Sequence, residues 1–246
     1  MGHYTRQRAG LNMPDVHHQG PIYRYTLILL IGVAVAALLT LSWPRLRASV
    51  SYLPVDTAIS KSWADWKITG EQLDGLIERA RESIALHDNY RYWEGLSELQ
   101  MLRSQDTNKP LWQRRQALEQ SVSAAEEVVK RAPANPRTWL RIARAGAFLA
   151  YPEEHIAAAL KMSILTGRVE PTLMLARLEL GLRYLPGLDE EAVLLLRDQA
   201  VLTWVVHRRQ MLQWIENGSL DFNLLREVLS GRNQDIISAM EAHLDH

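Results

Sequence analysis

The segment 132–181, which carries one internal repeat, constrains the fold more than any other part of the chain. Pro136 and Gly146 are followed 35 positions later by Pro171 and Gly181. Proline is favoured at the first position of an α-helix, where its missing N–H leaves no hydrogen bond unmade. The spacing therefore predicts successive pairs of helices with the same internal arrangement. Such units bury little apolar surface alone and become stable by stacking on their neighbours.

The length of the repeat indicates which kind of helical array to expect. A period close to 34 residues, a proline-led turn and an early aromatic residue, here Trp139, are typical of tetratricopeptide-like repeats. No stretch alternates apolar and polar residues with a period of two, so we expect no sheet. Upstream, Thr69 and Gln72 form a capping signal, and Asp88–Asn89 separates two helices. We predict an all-α fold, with later helices at 137–150, at 153–166, from Pro171, from beyond Pro186–Gly187 to Asn217–Gly218, and at about 221–229 and 233–243.

A long uncharged run near the N-terminus predicts a single membrane-spanning helix. No charged side chain occurs from Tyr25 to Pro44. Its apolar core, residues 26–43, would span about 27 Å as a helix, close to the hydrocarbon thickness of ~30 Å. Two alternatives are a buried soluble helix and a cleaved signal peptide, but the run has no polar face and no small-x-small site directly follows it. We expect a retained anchor, with membrane contacts from Tyr25, Leu29, Leu30, Leu38, Leu39 and Trp43.

The flanking charges leave the orientation of this helix nearly balanced. Arg6, Arg8 and Arg24 precede it, and Arg45, Arg47 and Lys61 follow it. A short tail ahead of one span, with the folded mass behind it, favours a cytoplasmic N-terminus in the bacterial inner membrane and a periplasmic domain. The predicted organisation is a tail at 1–24, a transmembrane helix at 25–44, a connector at 45–68 and a tetratricopeptide-like domain at 69–246. We expect Pro54 to break the helix within the connector, and Trp63 and Trp66 to lie near the membrane surface.

Composition excludes several functional classes. The 28 basic and 28 acidic residues balance, and the pairs Arg114–Arg115 and Arg208–Arg209 are too sparse for a nucleic-acid footprint. The chain has no cysteine, which excludes disulfides, thiolate metal sites and cysteine nucleophiles. The protein is therefore not expected to bind nucleic acid.

No motif points to catalysis or to a cofactor. His17–His18 and the terminal His243 and His246 lack the spacing of a metal site. Asp189, Glu190 and Glu191 are typical of a helix start, where carboxylates complement the helix dipole. No phosphate-binding glycine motif occurs. We expect no catalytic residues, no metal and no cofactor.

The repeat register predicts a partner-binding face. Positions 2, 5, 9 and 12 of each first helix should face a common groove. They are Arg137, Leu140, Arg144 and Ala147, then Thr172, Leu175, Glu179 and Leu182. Arg137, Arg141 and Arg144 also share one side of a helix, and such a row could clamp an acidic peptide terminus or an anionic sugar. The alternative is a solvated face balanced by Glu153 and Glu154.

Three segments, taken in their order along the chain, resemble the sequences of a known bacterial family. They run from Asp88 to Trp93, from Arg131 to Trp139 and from Leu165 to Pro171. They are similar to the VpsP-like proteins of exopolysaccharide loci; Gly167, Glu170 and Pro171 keep that family's pattern, whereas Arg168 and Val169 depart from it. The resemblance implies an inner-membrane protein with tetratricopeptide-like helices that assists polysaccharide assembly or export. It supplies no catalytic residues.

These observations together predict a non-catalytic, membrane-anchored scaffold or accessory protein for extracellular polysaccharide assembly or export. Its expected partners are the lipid bilayer and other membrane or periplasmic proteins of that machine. The alternatives are a membrane-bound glycan-modifying enzyme and a structural subunit of another inner-membrane complex. For the last of these, the small residues of the span allow close helix contact: Gly32, Ala34, Ala36 and Ala37.

Overall fold

The computed structural model describes residues 21–62 and 68–244, and all their regular structure is helical. The all-α prediction is confirmed for these residues. The tail before residue 21, including His17–His18, and also Trp63, Trp66 and His246 lie outside them. The helices are α1 Pro21–Ser62, α2 Gly70–Leu86, α3 Tyr90–Ser104, α4 Leu111–Arg131, α5 Pro136–Leu149, α6 Glu153–Thr166, α7 Pro171–Arg183, α8 Glu190–Glu216, α9 Phe222–Leu229 and α10 Gln234–Leu244, with a 3-10 turn at Leu185–Gly187.

The chain divides into two compact units, residues 1–45 and 46–246. In the first unit, the described part of α1 exposes every side chain from Arg24 to Arg45, including the six predicted anchor residues. Its best 18-residue window has a mean hydropathy of 2.3 and is 0% buried. An exposed apolar surface of this length is unfavourable in water and favourable in lipid. This part of α1 is long and apolar enough to cross a membrane, and its apolar window is not buried inside a domain.

The prediction of a connector broken at Pro54 is wrong, because α1 continues without interruption to Ser62. Proline inside a helix removes one hydrogen bond and clashes with the preceding turn, so a break was the local expectation. In the second unit, however, Ala48, Tyr52 and Val55 are buried in one apolar cluster with residues of α2 and α3. The Tyr52 hydroxyl donates to the Arg91 carbonyl at 2.9 Å. This burial accounts for the continued helix.

Local signals set several other helix starts as predicted. Thr69 and Gln72 form a reciprocal capping box at α2. Asn89 caps α3 by accepting from the Arg91 N–H at 3.0 Å. Pro136 and Pro171 occupy the first turns of α5 and α7. Most of the predicted bounds agree with the structure within one or two residues.

The helices pack in consecutive pairs: α3 with α4, α5 with α6, and α7 with α8. Between neighbouring pairs, the first helices contact each other, α5 with α7, and so do the second helices, α6 with α8. Gly146 and Gly181 both face the second helix of their own pair, but only Gly181 is crowded there. A Cβ atom on Gly181 would overlap Leu196 of α8, whereas one on Gly146 would lie 3.5 Å from Ile156 of α6, an ordinary contact, and 3.2 Å from Tyr151 of the following loop. Gly181 therefore marks a close approach between α7 and α8.

The two short C-terminal helices cover the end of the array, as predicted. Leu225, Val228 and Ile237 from α9 and α10 are buried in one cluster with Leu196 and Met211 of α8. A stack of helical repeats needs such a cover because its last unit would otherwise expose its apolar face.

A wholly buried arginine joins α6, α7 and α8. The guanidinium of Arg177 donates to the carbonyl oxygens of Ser163 at 2.5 Å and Gly167 at 2.8 Å, at the end of α6. It also donates to the side chains of Ser163 and Gln199. Burial lowers the pKa of Arg177 to about 10, against a smaller opposing effect of Glu170. The group remains a cation at neutral pH, and the negative end of the helix dipole favours it.

Candidate binding groove

A groove with a volume of about 550 Å³ lies between α3, α4, α5 and α7. Three of these, α3, α5 and α7, are the first helices of their pairs, and the repeat register predicted that α5 and α7 would face a common groove. Its lining consists of Glu98, Met101, Leu102, Ser104, Gln105, Leu111, Arg114, Arg115, Leu118, Arg137, Leu140, Arg141, Arg144, Phe148, Leu149, Thr172, Leu173 and Ala176. The volume lies within the range of roughly 300–1,000 Å³ that is usual for ligand sites.

The polar lining of the groove is strongly cationic, with five arginines and one carboxylate, Glu98. Arg141 is committed to the scaffold. Its side chain is only 7% exposed and forms an ion pair with Glu98, and it also donates to the Glu94 carbonyl at 3.3 Å. A buried cation of this kind needs its carboxylate, because removing one partner leaves an uncompensated charge.

Two further arginines on the α4 side of the groove are held by nearby groups. Arg114 donates to the Ser104 carbonyl at 2.8 Å, which fixes its guanidinium without neutralising it. Arg115 forms an exposed ion pair with Glu119 at 3.2 Å. The wall that α4 contributes therefore keeps a positive charge from Arg114.

On the α5 side, Arg137 and Arg144 differ in their surroundings. Arg137 donates to the Thr172 hydroxyl at 3.5 Å and lies 3.9 Å from the Glu170 carboxylate. Arg144 is exposed and makes no hydrogen bond or ion pair with the residues that the structure describes. Its guanidinium therefore has the donors and the charge to bind a ligand without first breaking an internal contact.

Apolar side chains line the rest of the groove. Leu118, Leu140 and Leu173 are buried beneath it. At the groove, Phe148 is 71% exposed and Leu111 is 77% exposed. Large apolar side chains that stay exposed beside cationic groups are typical of a contact surface, since aromatic and arginine anchors contribute most to binding energies.

The structure brings four of the six predicted partner-binding residues into this groove: Arg137, Leu140, Arg144 and Thr172. Glu179 lines a smaller adjoining pocket of about 70 Å³, to which Arg144 and Ala147 also contribute. There its carboxylate pairs with Arg183 at 2.8 Å.

The placement of Leu175 in the groove is wrong, as is that of Leu182. Leu182 is buried in the cluster of α8, α9 and α10, and Leu175 packs against that cluster. The physical reason is the position of α7 at the end of the stack. There, this side of α7 belongs to an apolar cluster that it shares with α8, α9 and α10.

The carboxylates that lie beside the arginine row are not Glu153 and Glu154, the two that the alternative interpretation of the sequence proposed. Arg141 pairs with Glu98, and Arg137 lies near Glu170. Glu153 and Glu154 instead occupy the first turn of α6, where they complement its dipole.

Several groove residues were not predicted. Phe148 follows Arg144 by four positions and therefore shares its helix face, which was a usable signal. Glu98 and Arg114 come from helices outside the detected repeat, so no register placed them.

The carboxylates at the start of α8 have the structural role that the sequence predicted. Asp189 accepts from the Ala192 N–H at 2.7 Å and so caps the helix. Lys161 lies 2.8 Å from Asp189 and 2.6 Å from Glu191. The Lys161 ammonium is the main cause of a lowered pKa at Asp189. Among the described residues, no three histidine, aspartate or glutamate side chains are grouped as metal ligands.

No protein-family model, curated protein or solved structure matches this chain.

Proposed function

We propose that this protein is a membrane-anchored, non-catalytic binding protein that holds a partner protein in the groove between α3, α4, α5 and α7. The observation that carries the proposal is the combination of a cationic wall and exposed apolar side chains in one groove. Arg144 and Phe148 lie one helical turn apart on α5, and the Arg144 guanidinium has no hydrogen-bond or ion-pair partner among the described residues. A single apolar helix ahead of the domain would keep the bound partner at a membrane surface.

The cellular setting proposed here rests on the resemblance to VpsP-like proteins and on the topology argument. The domain would lie on the periplasmic side of a bacterial inner membrane, with a cytoplasmic N-terminal tail. The partner would belong to a machine that assembles or exports extracellular polysaccharide, and the protein would act as its scaffold or accessory subunit. A helical array of the tetratricopeptide-like kind that the sequence predicts would suit this role, since such arrays commonly present a groove to other proteins.

In-cell photo-crosslinking tests the proposal. A photoreactive amino acid replaces Phe148 in the full-length protein expressed in its native cells. The matched control replaces Val205, which is 73% exposed on α8 and lies outside the groove. We expect an adduct of one defined mass at position 148, removed by protease treatment, and no such adduct at position 205.

Two outcomes would contradict the proposal. One is an adduct at position 148 that resists protease and is removed by glycan-degrading enzymes, which would make the groove a glycan site. The other is an equal pattern of adducts at both positions, which would mean that the groove has no preferred occupant.

A further inference from the structure

We infer that the groove binds an extended acidic segment of the partner protein, with carboxylates on Arg137 and Arg144 and an apolar side chain between them. This inference rests on the proposed function and specifies the chemistry of the ligand. The ligand that we infer is a peptide segment, and Arg144-dependent binding of an anionic sugar in its place would contradict the inference.

Charge complementarity supports an acidic ligand. Of the five groove arginines, three have a carboxylate nearby: Arg115, Arg137 and Arg141. Arg114 is held only by a carbonyl, and Arg144 has no hydrogen-bond or ion-pair partner among the described residues. The groove therefore keeps an excess of positive charge that an acidic ligand would neutralise. Guanidinium groups bind carboxylates in a paired geometry, which adds specificity to the charge.

The spacing of Arg137 and Arg144 supports an extended ligand. They are seven residues apart on one helix, which corresponds to about 10.5 Å along its axis. In an extended polyproline II segment, which has three residues per turn and rises about 3.1 Å per residue, side chains at positions i and i+3 lie on the same face, roughly 9 Å apart. Carboxylates at positions i and i+3 of such a segment would therefore match the two guanidinium groups. The residues between them would lie over Leu140 and beside Phe148.

The floor of the groove favours a peptide over an anionic sugar. Leu118, Leu140 and Leu173 carry no hydrogen-bonding atoms in their side chains. Sugar hydroxyls pressed against them would lose their water without gaining partners, which is unfavourable. A leucine or phenylalanine side chain of a peptide would instead gain from the same contact.

Fluorescence anisotropy with capped peptides tests the inference. The protein is full-length, in nanodiscs of neutral phosphatidylcholine, so that no anionic lipid competes. The probe contains Glu-Leu-Phe-Glu with blocked termini. Three comparison peptides replace both glutamates by glutamine, replace both by lysine, or replace the two apolar residues by serine. An oligogalacturonate of similar charge serves as the sugar probe.

We expect saturable binding of the first probe and binding at least tenfold weaker for each comparison peptide and for the sugar, a difference of about 1.4 kcal/mol. R144Q and F148S should each weaken the first probe by a similar factor. R209Q is the matched control, because Arg209 is likewise exposed and has no partner among the described residues. Binding should also weaken as salt screens the charges.

Three results would overturn the inference. They are no binding of the Glu-Leu-Phe-Glu probe at millimolar concentration, equal binding by R144Q, and tighter Arg144-dependent binding of the oligogalacturonate. A protease-sensitive adduct at position 148 in cells, together with any of these peptide results, would reject the ligand chemistry and leave the proposed function standing. Absence of that adduct would reject the proposed function itself.

Discussion

Arginine occurs both at the junction of α6, α7 and α8 and in the groove between α3, α4, α5 and α7, but it has opposite roles in the two regions. At the junction, Arg177 is wholly buried, and within the described part of the chain all its hydrogen bonds go to uncharged oxygens of Ser163, Gly167 and Gln199. In the groove, Arg144 is exposed and has no such partners among the described residues. The same residue type therefore stabilises the scaffold in one region and remains available for a ligand in the other.

Arg141 shows that an arginine can line the groove and still stabilise the scaffold. It lines the cavity, yet its ion pair with Glu98 and its bond to the Glu94 carbonyl tie α5 to α3. Burial and partners, and not location, decide whether an arginine is structural. The difference can be tested by measuring which substitutions lower stability and which lower binding.

The largest expected effect is on stability, from R177M. Methionine fills much of the space of the arginine stem but leaves the carbonyls of Ser163 and Gly167 without a donor. Buried acceptors left unpaired cost about 1–3 kcal/mol each, so we expect a loss of about 3–5 kcal/mol. The measurement is urea unfolding of the full-length protein in detergent, followed by tryptophan fluorescence. R177K keeps the charge but fewer donors and should lose less. A loss below about 1 kcal/mol for R177M would show that Arg177 does not stabilise the scaffold.

The second prediction concerns the ion pair of Arg141. E98Q removes the charge that compensates a nearly buried guanidinium, and we expect a loss of about 2 kcal/mol in the free energy of unfolding. E119Q is the matched control, because it removes the carboxylate beside Arg115 from an exposed pair and should change stability by less than about 0.5 kcal/mol. Equal effects of the two substitutions would show that Arg141 is no more structural than Arg115.

The third prediction tests the contact that brings α6 and α5 together beside Arg177. A Cβ atom on Gly167 would lie 2.6 Å from the Pro136 ring, which is rigid. G167A should therefore displace the turn that offers its carbonyl to Arg177 and cost about 1–2 kcal/mol. G75A is the control, because Gly75 lies inside α2 with open space around it and alanine there should stabilise the protein by up to about 1 kcal/mol. G167A with wild-type stability would contradict the assigned packing.

How much of this fold could be predicted depended on whether its signals were local. Thr69, Asn89 and Pro136 define helix starts through their own capping or ring geometry, and the structure agrees with each. Pro54 carries an equally local signal for a break, yet α1 passes through it. Burial of Tyr52 and Val55 decided that outcome, and burial depends on helices distant in sequence.

The groove shows the same division between local and tertiary information. The register correctly placed Arg137 and Arg144 together because both lie on one helix. It misplaced Leu175, because the end of the stack changes what α7 packs against. Arg177 was not identified from the sequence as a buried residue, although the repeat register contained evidence for its burial. It stands 35 positions after Ile142, a partly buried residue, so a charged side chain occupied an inward position of the repeat.

The smallest expected change in stability comes from R144Q, and it separates the two regions most cleanly. Arg144 is exposed and makes no internal ion pair among the described residues, so its loss should alter the free energy of unfolding by less than about 0.5 kcal/mol. The same substitution should remove the protein adduct formed at position 148, which R177K should retain once the protein is folded. Unfolding curves that coincide for R144Q and wild type, with crosslinking lost, would assign Arg144 to recognition. A marked loss of stability in R144Q would instead make it part of the scaffold and leave the groove without a free guanidinium on α5.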